Sequence, residues 1–173
     1  MERKEVLLIT PPTGLSGINA TFGNMGDYVT IQPNRNMTLD PQFECKYIVT
    51  ADLPFSIPLA RNEHIQIPEI QCHHLLREHF KAVFQKILAE GLRDKIHSFG
   101  GCFQFRQRRN RAELSAHSWG IAIDLNPESN RQGTRGDMDE SIVNIFKGAG
   151  FIWGGEWAGK RCDPMHFQFC RRY

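Results

Sequence analysis

The stretch that decides the fold is "SAHSWGIAIDL", residues 115–125. Its second half alternates. Ile121, Ile123 and Leu125 point one way and Gly120, Ala122 and Asp124 the other, the period of a half-buried strand. Its first half, Ser-Ala-His-Ser-Trp, reads as a turn that leans His117 back over the start of that strand. Asp124 therefore shares its face with the smallest side chains available, which leaves room above it. An imidazole and a carboxylate meeting in such a gap are a partial ligand set for zinc. A catalytic zinc takes three protein ligands and keeps one position open.

The third ligand is found in "CDPMHFQF", residues 162–169. Phe167 and Phe169 mark the buried side of a strand, and His166 and Gln168 lie on the other. Three residues before His166, Asp163 is held in a turn by Pro164. A carboxylate there stands beside the ligands without being one of them, as a general base requires if it is to take a proton from water and return it to a leaving amine. Two histidines and an aspartate, with a second carboxylate alongside, describe metal-assisted hydrolysis.

Working outward, "FGGCFQFR", residues 99–106, alternates as a strand and ends in Arg106. From Pro68 to Leu92, apolar residues at 70, 75, 76, 80, 83, 84, 87 and 88 predict one amphipathic helix, stopped by Gly91. His73, His74 and His79 ride on it, and the spacing of the last two is wrong for a shared ligand face. "DMDESIVNIFKGAG", residues 137–150, predicts a short helix with acidic residues at its start. Residues 1–60 are rich in Gly, Pro, Asn and Thr and are expected to wrap irregularly, with "YVTIQ" and "KYIVTA" as short strands. The whole reads as one domain over 1–173, its core in residues 61–173. With long βαβ crossovers missing, the fold class is α+β, a small antiparallel sheet with helices packed on one face.

Composition bounds the function. Forty per cent of the 173 residues are hydrophobic, which suits a folded globular chain. A net charge of +2 is too small to point to nucleic acid. The basic run "RQRRNR", Arg106–Arg111, with Arg131 and Arg135 further on, reads as a solvated loop able to attract an anionic polymer. Five cysteines form no CxxC pair, which argues against a zinc ribbon or a disulfide framework and fits synthesis in the reducing cytoplasm. The apolar run Val6–Ile9 is shorter than the roughly 7–15 residues of a signal peptide or the ~20 of a membrane span. No membrane span and no secretory signal are expected. Action on the cell wall would follow release or delivery, as for a phage endolysin or a secreted effector, unless the chain works in the cytoplasm. A monomer is expected.

"SAHSWGIAIDL" resembles the Ser-x-His-x-x-Gly-x-Ala-x-Asp signature of the zinc D-Ala-D-Ala carboxypeptidases and L-alanyl-D-glutamate endopeptidases that act on bacterial peptidoglycan, phage endolysins among them. "DPMHFQF" is similar to the second signature of that family, and "GFIWGGEW", residues 150–157, to the segment that precedes it. The resemblance covers residues 68–173 and implies a fold shared with hedgehog signalling domains. It implies zinc held by His117, Asp124 and His166, with Asp163 as base. Arg106 would face the substrate carbonyl or carboxylate, and Ser115 would orient the substrate or its loop. Trp153 and Trp157 would line the groove, and the stem peptide of peptidoglycan would be the partner. Asp163 in place of the glutamate common among the carboxypeptidases leans towards the endopeptidases. The rival reading, on the same scaffold, is a zinc-containing module that binds without cutting.

Overall fold

The computed structural model describes residues 9–33, 36–108 and 112–173. The chain opens with helix α1 (Gly14–Phe22), a two-stranded ribbon of β1 (Val29–Ile31) and β2 (Met37–Leu39), and helix α2 (Pro41–Tyr47). Asp40 caps α2, accepting from the backbone N–H of Gln42, and Pro41 at the first helical position has no N–H to leave unsatisfied. Next come two strands of twelve residues each, β3 (Ile48–Leu59) and β4 (Asn62–His73), paired as a long antiparallel hairpin. Pro54 and Pro68 both fall where the register breaks between the Asp52/Glu69 and Ile57/Ile67 pairs, because proline cannot donate to the ladder.

Helix α3 (Arg77–Ala89) buries His79, Phe80, Val83, Phe84 and Ile87. It is followed by β5 (Phe99–Gly101), β6 (Ala122–Leu125), helix α4 (Glu140–Gly148), β7 (Ile152–Trp153) and β8 (His166–Gln168). The six-stranded sheet runs β4-β3-β5-β6-β8-β7 and is antiparallel except where Leu59 of β3 meets Phe99 of β5. The architecture is α+β. Phe167 stacks on Phe146 of α4 with ring centroids 4.2 Å apart, and Phe169 meets His79 of α3 and Phe151. Helices thus cover the Phe167 side of the sheet. His166 and Gln168 are left on the other.

Three expectations are corrected here. The helix over 68–92 is shorter at its start: residues up to His73 belong to β4, and His74–Leu76 form a single 3-10 turn. Strand β4 is an edge strand, exposed along most of its length, so its alternation does not show in the sequence. The strand over 99–106 ends at Gly101. Beyond it, the N–H groups of Phe103 and Gln104 turn to the carbonyls of Gln71 and His117. Residues 9–60 hold two helices and three strands rather than an irregular wrap, and the boundary drawn at 60/61 cuts the β3–β4 hairpin at its turn. "YVTIQ" contains β1, whereas Lys46 and Tyr47 of "KYIVTA" end α2. The N-terminal run Val6–Leu8 and residues 109–111 of the basic run lie outside the described residues. Among those described, all five cysteines are free thiols, and no helix is long and apolar enough to cross a membrane.

Candidate metal centre

His117 sits in a 3-10 turn, Ala116–Trp119, that is built by its two ends. The Ser115 hydroxyl accepts from the His117 N–H at 3.4 Å, and Gly120 closes the turn in the left-handed region at φ 66°. A Cβ on Gly120 would stand 2.8 Å from the backbone nitrogen of His73, whose N–H is bonded to the Gly120 carbonyl at 2.9 Å. Only glycine allows both the dihedral and the approach of β4. Strand register then sets Asp124 of β6 opposite His166 of β8.

Three atoms converge. His117 Nε2 lies 3.2 Å from His166 Nδ1, His166 Nδ1 lies 2.9 Å from Asp124 Oδ1, and His117 Nε2 lies 3.2 Å from Asp124 Oδ1. What surrounds them fixes which nitrogens carry protons. His117 Nδ1 faces the Cys102 carbonyl at 2.7 Å, so it donates, leaving Nε2 as a lone pair. Gln168 donates its amide to the carbonyls of Cys170 and Tyr173, which turns its Oε1 towards His166 Nε2 at 3.0 Å. His166 Nε2 therefore donates, and its Nδ1 is a lone pair too.

Two imidazole lone pairs and a carboxylate oxygen thus face one point in a buried setting. Such an arrangement repels itself unless a positive charge lies among the three. Metal–ligand bonds of about 2.0–2.1 Å in a tetrahedron give ligand–ligand edges of roughly 3.3 Å, close to the spacing found, so the donor set fits a zinc ion. A proton competes for the same point. Burial acts to raise the Asp124 carboxyl, but the two imidazoles outweigh it and hold the group well below the usual carboxylate range. Burial acts to lower His166, yet Asp124 and then the charge of Asp163 carry it above the ordinary imidazole value.

The other expected residues gather around this triangle. Asp124 turns Oδ2 towards Arg106, whose Nη2 lies 3.8 Å away with the side chain about half exposed. Asp163 begins the turn that delivers His166, closed by the His166 N–H on the Asp163 carbonyl at 3.0 Å. The Trp157 ring lies 5.5 Å from that of His166, and Trp153 donates its indole N–H to the Pro164 carbonyl at 2.8 Å. Both indoles line a groove of about 720 Å³ beside the site. Ser115 is buried and serves as the cap of the His117 turn.

Residues 108–169 match the family model described as D-alanyl-D-alanine carboxypeptidase. The match covers about a third of the chain. The match spans His117, Asp124, Trp153, Trp157, Asp163 and His166, while Arg106 and the β3–β4 hairpin lie before it. No curated protein and no solved structure matches the chain.

Two further residues shape the site. Gln168 lies on the His166 face, and its position two residues after a candidate ligand on the same strand face is the sequence signal for it. Ser118 is fully buried, and its hydroxyl accepts from the Arg106 N–H at 3.1 Å while donating to the Arg106 carbonyl at 3.0 Å. Nothing local announces that bond, which spans twelve residues.

Proposed function

We propose that this chain is a zinc peptidase that hydrolyses an amide bond in the stem peptide of bacterial peptidoglycan. The observation that carries the reading is the convergence of two imidazole lone pairs and a carboxylate oxygen, the imidazole protons directed outward, near a groove lined by Trp157. Zinc in that place supplies Lewis acidity and an acidified water. The chain's residues do the rest. His117, Asp124 and His166 hold the ion. Asp163 takes the proton of the attacking water and returns it to the amine nitrogen as the carbon–nitrogen bond breaks. Arg106 faces the oxygen on which negative charge develops, and Trp153 and Trp157 seat the stem peptide. The family description favours the D-Ala-D-Ala bond at the free end of the stem, and the aspartate at 163 favours the L-Ala-D-Glu bond nearer the sugar. The proposed place of action is the cell wall, reached by release or delivery.

Zinc-loaded protein incubated with muropeptides, followed by mass spectrometry, names the bond, and a chelator should stop the cut. Asp163→Ala should keep one equivalent of zinc and lose activity by about 10²–10⁴-fold. Full activity in that variant overturns the assignment of the base. If the zinc-loaded protein releases no new amino groups, the chain is a binding module instead.

A further inference from the structure

The groove beside the metal centre has a strongly uneven wall. Much of it is backbone and ring, from Gly133, Gly136, Gly155 and the two indoles. Among the described lining residues, Arg135 is the one cationic side chain. The acidic one, Asp137, is engaged, because its Oδ1 accepts from the Ser129 hydroxyl at 2.7 Å and the Asn130 amide at 2.8 Å. Arg135 makes no ion pair with any of the described residues.

The backbone that carries Arg135 is clamped on both sides. Before it, the Thr134 carbonyl receives the Cys162 thiol at 3.2 Å, and the Gly133 N–H is bonded to the Cys162 carbonyl at 2.6 Å. After it, Gly136 adopts φ +64° and lies so close to the catalytic turn that a Cβ would come within 2.6 Å of Pro164 Cγ. The fully buried Asn130 ties the loop shut by accepting from the Asp137 N–H at 3.0 Å while donating to the Asn126 carbonyl at 3.1 Å. An exposed guanidinium in the wall of a groove lined mostly by neutral groups, with its backbone fixed in advance, can receive an anion.

Resting on the peptidase reading, we infer that this groove is the subsite for a free carboxylate of the substrate and that Arg135 is its counter-ion, the residue that sets specificity. A stem peptide offers two such groups, its C-terminal carboxylate and the α-carboxylate of its γ-linked D-glutamate. Both present the same planar pair of oxygens to a guanidinium, and the experiment distinguishes them.

The test uses the zinc-loaded full chain and three stem pentapeptides. One has both carboxylates free, one is amidated at the C-terminus and one is amidated at the D-glutamate. The wild type should lose about 10–100-fold in kcat/KM on one amidation and keep its rate on the other, which identifies the carboxylate. Arg135→Gln should suffer the same loss on the free peptide and become indifferent to that amidation, and Arg135→Lys should fall between. The inference is overturned if the wild type ignores both amidations or if Arg135→Gln keeps the wild-type preference. Quenching of tryptophan fluorescence, titrated with the same peptides on Asp163→Ala, reads binding alone. If no peptide is cut, the peptidase reading fails, and this titration still decides whether Arg135 selects a carboxylate.

Discussion

Gln168 does more for the candidate metal centre than its neutral side chain advertises. Its amide is oriented by two backbone carbonyls, and that orientation decides which nitrogen of His166 faces the site. Gln168→Leu should retain the fold and lower zinc affinity by about 10–100-fold, read by competition with a chromophoric chelator. Gln168→Glu should not restore it, because a carboxylate cannot donate to the Cys170 and Tyr173 carbonyls that orient the side chain. At this scale the sequence was legible where chemistry shows in side-chain type. His117, Asp124, Asp163 and His166 stand out because imidazoles and carboxylates on strand faces need a reason. Gln168 and Ser118 did not, since their importance lies in the backbone groups they touch, and those groups are brought to them from distant parts of the chain.

Among the elements, the segment from 102 to 108 and the turn that holds His117 are joined by Ser118. Removing its hydroxyl takes the acceptor from the Arg106 N–H and frees the arginine to drift from Asp124. Ser118→Ala should lower kcat/KM by about tenfold while zinc affinity, measured alongside, stays within about twofold. Gly120→Ala is a harsher change. It demands the left-handed backbone of a residue with a Cβ and drives that atom into β4, so a loss of about 1–3 kcal/mol or more is expected in denaturant unfolding. Element reading from the sequence succeeded where one face is fully covered. Ile142, Val143, Ile145 and Phe146 mark α4, and Ile121, Ile123 and Leu125 mark β6. It failed at the end of β4, whose Ile70 runs on into the apolar face of α3 and mimics a longer helix, and at α1, which buries only Ile18 and Phe22 among its described residues.

Over the whole molecule, stability should carry the imprint of His73. Buried between α1 and the His117 turn, it donates Nε2–H to the Phe22 carbonyl and accepts the Leu75 N–H on Nδ1, so it folds in as the neutral form. Burial, helped by His74, pulls its pKa down to about 3. An unfolded chain takes up that proton near pH 6.5 and the folded one does not, so the unfolded state binds more protons between the two values. The contribution is complete above pH 6.5 and is lost as pH falls towards 3, with a slope of at most ~1.4 kcal/mol per pH unit. His79, also pulled down by burial, acts in the same direction, and His166 in the opposite one. Denaturant unfolding of metal-free protein at pH 7 and pH 5 measures the sum, and His73→Gln should flatten the slope.

The sheet keeps its aromatic packing with α3 and α4 on one side and its chemistry on the other. Arg135 is exposed and is no member of that packing, so it can be exchanged at little thermodynamic risk. A library randomised at that position should leave the melting temperature nearly constant while the preferred ligand changes from clone to clone, which makes it a natural starting point for directed evolution.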